Sequence, residues 1–111
     1  MTRFTYAIPL TLAAALALVL ATPATNARAQ DGKALYTAKG CPACHGPDGN
    51  KPLGPGYPKT KGQDETYIIN QIKAFKSGER KGAQSALMAP MAMTLNDKET
   101  AAIAKFLASE K

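Results

Sequence analysis

The sequence lacks residues on which several common folds and metal sites depend. It has no tryptophan, a single histidine and only two cysteines. One histidine and one cysteine pair supply too few ligands for a tetrahedral zinc site. No segment alternates convincingly between apolar and polar residues and no repeat is present, so we predict helices and loops rather than a β-sheet. Basic residues are not interleaved with aromatics in any stripe, and we therefore expect no nucleic-acid binding.

Long apolar runs are also missing, apart from one near the start. Ala7 to Ala21 is mostly small and aliphatic, but it is shorter than the roughly 20 residues that a transmembrane helix needs. Arg3 precedes this run, and Ala27-Arg28-Ala29 fits a signal-peptidase site. We predict a secretory signal peptide over residues 1–29, followed by one exported domain over residues 30–111 without stable membrane insertion. A retained N-terminal anchor is the alternative.

The predicted domain is small and has few large aromatic side chains, so its own core is limited. A large buried cofactor would supply the missing apolar volume. The whole chain has a formal net charge of +6. A positive excess can simply favour solubility. Alternatively, it steers the protein toward an acidic partner.

The central motif is Cys41-Pro42-Ala43-Cys44-His45. Cys-x-x-Cys-His is the signature of c-type haem attachment, in which both thiols form thioethers and the histidine binds the iron. Cys-Pro-x-Cys is also found in thiol–disulfide oxidoreductases, but that chemistry is typical of a βαβ fold, for which this chain has no strand signal. We therefore predict one covalently bound haem c, with His45 as a metal ligand.

Helix signals occur in three segments, separated by two segments that we predict to be loops. Asp31 is a candidate cap for the first helix, Gln63 or Asp64 for the second, and Asn96 with Glu99 for the last. The predicted helices cover 31–39, 63–77 and the segment after Asn96, and the predicted loops cover 46–62 and 78–95. These signals predict an all-α fold around the haem.

A second axial ligand cannot be a histidine of this chain, so methionine, lysine or an open position remains. Thioether ligation favours Fe(II) and raises the reduction potential. The second loop contains Met88, Met91 and Met93. In an extended segment Met91 and Met93 would face one side and Met88 the other. Spacing alone does not choose between Met88 and Met91.

In its order of elements, the sequence resembles a small class I cytochrome c, and in particular the single-haem relatives of one half of cytochrome c4. The matching stretches are Cys44-His45-Gly46-Pro47-Asp48-Gly49-Asn50, Tyr57-Pro58-Lys59 with Gly62-Gln63, Tyr67 with Gln71-Ile72-Lys73-Ala74-Phe75-Lys76-Ser77-Gly78, Met88-Ala89-Pro90-Met91 and Leu95-Asn96-Asp97.

The resemblance implies three to four helices around one haem, with specific residues in specific roles. It selects Met88 as the second metal ligand, with Met91 as the alternative. It implies that His45 donates its second ring N–H to a proline carbonyl, best matched by Pro55 and alternatively by Pro52. It also implies that the first and last helices cross, with Gly32 and Tyr36 against Phe106.

The resemblance further implies a periplasmic one-electron carrier that exchanges electrons with a redox-protein donor and acceptor and is not itself an enzyme. A cytochrome subunit of a larger periplasmic oxidoreductase is the alternative. An enzyme or gas sensor with an open iron position is a further alternative, against which the methionine segment argues.

Overall fold

A computed structural model describes residues 2, 3, 5, 24–82 and 84–109, with residues 24–30 described by their backbone alone. The helices in these residues are α1 Ala24–Ala38, α2 Pro42–His45, α3 Glu65–Ser77, α4 Ser85–Met93 and α5 Asp97–Ser109. Strands are absent from the same residues, which confirms the all-α prediction. None of these helices is long and apolar enough to cross a membrane. The signal peptide predicted for residues 1–29 lies largely outside the described residues.

The first helix is longer than the sequence signals indicated. It begins at Ala24, so Asp31 lies within it and the prediction of Asp31 as its cap is wrong. Neither proline nor glycine interrupts residues 24–31, and the alanines, arginine and glutamine there favour helix. The helix ends where predicted, just before Gly40, whose φ of +79° is one that glycine adopts without strain.

The last helix crosses α1 at Gly32. A Cβ atom on Gly32 would overlap the carbonyl oxygen of Ala102 and lie 2.8 Å from the Cβ of Phe106. One turn further along α1, the ring of Tyr36 packs against that of Phe106, with centroids 5.7 Å apart and planes tilted by 56°. The predicted contact of Gly32 and Tyr36 with Phe106 is therefore confirmed.

The third and fifth helices begin at the predicted caps. Asp64 Oδ1 accepts a hydrogen bond of 2.9 Å from the backbone N–H of Tyr67. Asn96 Oδ1 accepts from the N–H of Glu99 at 2.8 Å, and Glu99 Oε1 accepts from the N–H of Asn96 at 3.1 Å. This reciprocal pair satisfies two backbone donors at the start of α5.

A fourth helix occupies a segment predicted to be loop. α4 is rich in alanine, leucine and methionine, which favour helix. Pro90 lies inside it, and proline removes one backbone donor there. The loop prediction for 78–95 gave too much weight to Pro90 and too little to its neighbours. Among the described residues of that segment, 78–82, 84, 94 and 95 lie outside the helix.

The hydrophobic core joins α1, α3, the end of α4 and α5. Its buried members are Tyr36, Ile68, Ile72, Ala92, Leu95, Ile103, Ala104, Phe106 and Leu107. Several of them also form one wall of a large cavity, so the core and the cavity share side chains.

Candidate haem site

The cavity that the core borders has a volume of about 220 Å³. Side chains from α2, α3, α4 and α5 surround it, together with residues from the loop before α3. Its lining includes Cys41, Cys44, His45, Met88 and Met91. The structure thus brings the predicted attachment and ligand residues to one cavity, with the exception of Pro55.

The two cysteines lie on a single tight turn. The N–H groups of Cys44 and His45 both donate to the carbonyl of Cys41, at 3.3 and 3.1 Å. The two cysteines do not form a disulfide with each other. Burial raises the pKa of the Cys41 thiol, whereas a thiol oxidoreductase depends on a lowered thiol pKa. The turn therefore suits thioether attachment better than disulfide exchange.

The imidazole of His45 is oriented by a backbone carbonyl. Its Nδ1 lies 2.8 Å from the carbonyl oxygen of Pro58. A carbonyl oxygen can only accept, so Nδ1 must carry the proton, and Nε2 then keeps its lone pair for a metal. A bond of this kind fixes the ring orientation and raises the basicity of the ligand nitrogen.

The acceptor is Pro58, and the prediction of Pro55, with Pro52 as its alternative, is wrong. Gly54 to Tyr57 forms a turn, in which the N–H of Tyr57 donates to the carbonyl of Gly54 at 3.4 Å. Pro55 and Gly56 occupy its central positions, and Gly56 has a φ of +87°, as in a type II turn. The carbonyl of Pro55 instead accepts from Gln84 Nε2 at 3.4 Å. The Pro-Gly pair was the available sequence signal for this turn.

Helix α4 changes the relationship among the three methionines. Residues three apart on a helix share a face, so Met88 and Met91 lie together, and both line the cavity. The alternation expected for an extended segment, with Met88 opposite Met91, is therefore wrong. Met93 is 64% exposed and is not part of the lining. Met88 is half-buried, whereas Met91 is 38% exposed.

The loop between α2 and α3 is held at several points. Tyr36 is almost fully buried, and its hydroxyl donates to the carbonyl of Gly46 at 2.7 Å. Burial raises the pKa of Tyr36, so the phenol remains a neutral donor. The carbonyl of Gly49 accepts from the N–H groups of Thr60 and Lys61, both at 3.0 Å. These bonds keep the Pro/Gly-rich loop ordered beside the cavity.

Sequence reasoning did not identify Arg80, which contributes a permanent positive charge to the cavity lining. Its guanidinium lies 4.5 Å from the centroid of the Phe75 ring, and Nη1 donates to Gln71 Oε1 at 3.0 Å. Nearby in the lining, Gln84 Oε1 is buried without a hydrogen-bond partner among the described residues. No motif in a single sequence marks an arginine in the turn after a helix as part of a site.

Together, these groups match the chemistry of a haem. The mostly apolar walls suit the macrocycle, and the two thiols suit its vinyl groups. The free Nε2 of His45 and a methionine sulfur suit the iron, and a guanidinium suits a carboxylate. The residues that line the cavity therefore fit a covalently bound haem.

Comparison with known families gives the same answer. The Cytochrome c family model matches residues 29–111. Cytochrome c-554(548) of Halomonas halodenitrificans is 48% identical over 71 residues, which cover 64% of this chain and 84% of the relative. Cytochrome c4 of Azotobacter vinelandii is 37% identical over 98 residues, which cover 83% of this chain and 44% of the relative.

A third relative is named for its redox role. The thiosulfate dehydrogenase electron acceptor of Thiomonas intermedia is 40% identical over 93 residues, which cover 78% of this chain and 42% of the relative.

Two solved structures share the fold. Reduced cytochrome c4 of Pseudomonas stutzeri superposes with a TM-score of 0.66 at 27% identity, over 78% of this chain and 50% of the other.

Cytochrome c4 of Acidithiobacillus ferrooxidans superposes with a TM-score of 0.63 at 32% identity, over 75% of this chain and 49% of the other. This chain thus spans most of cytochrome c-554(548) but about half of each cytochrome c4.

Proposed function

The chain belongs to the cytochrome c family, whose members bind haem c covalently and transfer electrons without being enzymes themselves; from this premise we propose that it is a periplasmic one-electron carrier with a single haem. In this proposal the haem is attached through Cys41 and Cys44, and its iron is ligated by His45 and Met88. The observation that carries it is the convergence of all four side chains on one cavity.

When bound, haem c supplies an iron that accepts and releases one electron. The chain's own residues keep the surroundings of that iron constant. The bond from His45 Nδ1 to the Pro58 carbonyl fixes the imidazole. The thioether of Met88 favours the reduced state. Apolar side chains such as Ile68 and Leu95 exclude water from the cavity wall. Such a site changes little between oxidation states, which suits rapid electron transfer.

The surface for transfer is the rim of the cavity near the attachment turn. The N–H of Leu53 donates to the carbonyl of Cys44 at 3.0 Å, and the Leu53 side chain is 65% exposed. Leu87 and Met91 line the cavity and are also exposed. Exposed apolar side chains beside a cofactor cavity are typical of a protein contact surface. We propose that the redox donor and acceptor dock there in turn.

Membership of the family implies redox partners, and the relatives suggest their class. The Thiomonas intermedia protein is named as the electron acceptor of a thiosulfate dehydrogenase. This name favours a second candidate, in which the present chain serves one oxidoreductase as its cytochrome subunit or dedicated acceptor. Copurification from the native periplasm would distinguish a free carrier from a bound subunit.

Expression of the whole chain in a host that exports proteins and assembles c-type haem tests the main proposal. We expect the protein in the periplasmic fraction, with one haem that survives acid–acetone extraction and a redox titration that fits one electron. Cys44→Ser should reduce covalent haem. The exposed Ser77→Ala is the matched control and should leave attachment unchanged.

Free thiols at both cysteines of the purified protein would contradict the proposed attachment. Rapid binding of carbon monoxide to the reduced wild-type protein would instead show an open iron position. That result would favour the sensor or enzyme alternative.

A further inference from the structure

Helix α4, which carries Met88, contributes little to the hydrophobic core. Of its nine residues only Ala92 is buried. Its first-turn donors receive no side-chain cap from Gln84, and Pro90 removes a further donor within it. Outside the face that lines the haem cavity, α4 has little buried surface that could hold it in place. Other contacts must therefore fix its position.

Two lysine side chains supply such contacts in the segment directly after α4. Lys76 Nζ donates to the carbonyl of Leu95 at 2.6 Å, in a partly buried position. Lys39 Nζ donates to the carbonyl of Thr94 at 3.2 Å and forms an ion pair of 3.0 Å with Glu99. Both carbonyls belong to the two residues that directly follow α4, and hydrogen bonds from a charged donor are stronger than those from a neutral one.

The two lysines belong to segments that contribute residues to the lining of the haem cavity. Lys76 lies in the last turn of α3, whose Ile68 and Ile72 line that cavity. Lys39 follows the end of α1 and stands two residues before Cys41. Hydrogen bonds thus link the segment directly after α4 both to the residue before the haem-attachment turn and to a helix that forms a wall of the cavity.

We propose that Lys76, assisted by Lys39, is a positioning residue for the axial methionine. By holding the segment that follows α4, Lys76 would keep the Met88 sulfur in position to ligate the iron of a bound haem. This inference rests on the proposed ligation by Met88. Lys76 is the stronger of the two contacts because its hydrogen bond is shorter and less exposed to water.

The affinity of the oxidised iron for an external ligand, imidazole, reports on this role. Imidazole must displace the methionine, so its apparent affinity rises with the fraction of molecules in which that bond is broken. A purely structural role for Lys76 would change the midpoint of global unfolding but not the imidazole affinity of the folded protein. The mature haem protein is used throughout, at constant pH and with folding checked by circular dichroism.

Lys76→Met keeps the length of the side chain and removes its donors. We expect it to bind imidazole about tenfold more tightly than wild type, as for the loss of a hydrogen bond from a charged donor. Lys73→Met is the matched control, because Lys73 is exposed on the same helix. It should stay within about twofold of wild type, as a surface substitution does. Lys76→Arg retains a cationic donor and should restore most of the wild-type affinity.

Lys39→Met, compared with the exposed Lys33→Met, provides a second pair. We expect a smaller increase, about threefold, because the Lys39 bond is longer and more exposed. If Lys76→Met does not acquire covalent haem, the comparison of Lys39→Met with Lys33→Met tests the proposal instead. Equal imidazole affinities for Lys76→Met and Lys73→Met, in protein that matures, would overturn the proposal.

The ligation by Met88 is checked separately in the wild-type protein. Its oxidised form should show the weak sulfur-to-iron absorption band. Absence of that band would refute the methionine ligation and with it the present inference, whereas a normal band with unaffected lysine variants would refute only the inference.

Discussion

His45 and Pro58, thirteen positions apart in the sequence, are joined by a hydrogen bond of 2.8 Å between the imidazole Nδ1 and the backbone carbonyl. Because the acceptor belongs to the backbone, no side-chain substitution removes it directly. Its position depends instead on the rigidity of the Pro/Gly-rich loop around it. This dependence gives a test of which proline orients the axial histidine.

Pro58→Gly should loosen the orientation of His45 while leaving the carbonyl in place. Glycine admits many more backbone conformations than proline. We expect faster solvent exchange of the His45 Nδ1 proton, measured by NMR. We also expect a higher reduction potential in a redox titration, because a less basic imidazole stabilises Fe(III) less well. Pro55→Gly is the matched control, because its carbonyl accepts from Gln84 instead. The assignment to Pro58 fails if Pro55→Gly has the larger effect on the exchange rate.

Met88→Ala should remove the weak sulfur-to-iron band of the oxidised protein and lower its potential, since thioether ligation stabilises Fe(II). Met91→Ala should keep the band and lose only packing, and Met93→Ala should change little because Met93 is largely exposed. The visible spectrum and a redox titration measure both effects. Loss of the band in Met91→Ala, with retention in Met88→Ala, would transfer the ligand role to Met91.

Gly32→Ala should destabilise the protein by about 1–3 kcal/mol, the usual cost of overpacking. The new Cβ would overlap the Ala102 carbonyl and approach Phe106. In an unobstructed helix the same change would be favourable. Denaturant unfolding of the haem protein measures the difference. The neighbouring Lys33→Ala should stay within about 0.5 kcal/mol, and similar stability for both variants would contradict the close crossing.

Arg80→Gln should lower the reduction potential by a few tens of mV, or on the order of 1 kcal/mol. A positive charge beside the cofactor favours the reduced and less positive iron. Lys81→Gln removes the same charge from an exposed neighbour that does not line the cavity. Redox titrations at two ionic strengths compare them. Equal shifts of the reduction potential in the two variants would show that only the overall charge of the protein affects the potential.

Glu99→Gln should reduce the loss of stability in acid. The backbone N–H of Asn96, followed by Lys39, lowers the pKa of Glu99 in the folded protein. A lowered pKa contributes stability above the unfolded value of about 4.3, and this contribution is lost as the pH falls through the folded pKa. Urea midpoints from pH 6 down to pH 3 measure it. Glu65→Gln makes the same change of charge and is the matched control. If the urea midpoint of Glu99→Gln falls with pH as steeply as that of wild type, the linkage is refuted.

Local signals were sufficient for much of the fold. Asp64 and the Asn96–Glu99 pair act through the next few residues of their own helices, so their roles can be deduced from spacing alone. The attachment turn at Cys41 and Cys44 is equally local. The resemblance to cytochromes added the contact of Gly32 with Phe106, which no local pattern indicates.

Features that depend on competition between signals could not be deduced in this way. Pro90 disfavours helix, but its alanine, leucine and methionine neighbours favour it more strongly, and α4 forms. The sequence predicted Pro55, or alternatively Pro52, as the acceptor, and only the tertiary structure shows that the Pro58 carbonyl reaches His45. Arg80 joins the cavity through its contacts with Phe75 and Gln71. Those contacts depend on the tertiary structure.

The crossing at Gly32 and Ala102 also has a kinetic consequence. It joins residues seventy positions apart, and contacts of such long sequence separation form slowly because the intervening chain must first be closed into a loop. A cofactor fixed at Cys44 and bound near Met88 would divide that loop into shorter segments. The haem would then raise the rate at which the terminal helices meet, in addition to filling the space between them. Refolding should therefore be much slower in a chain without haem.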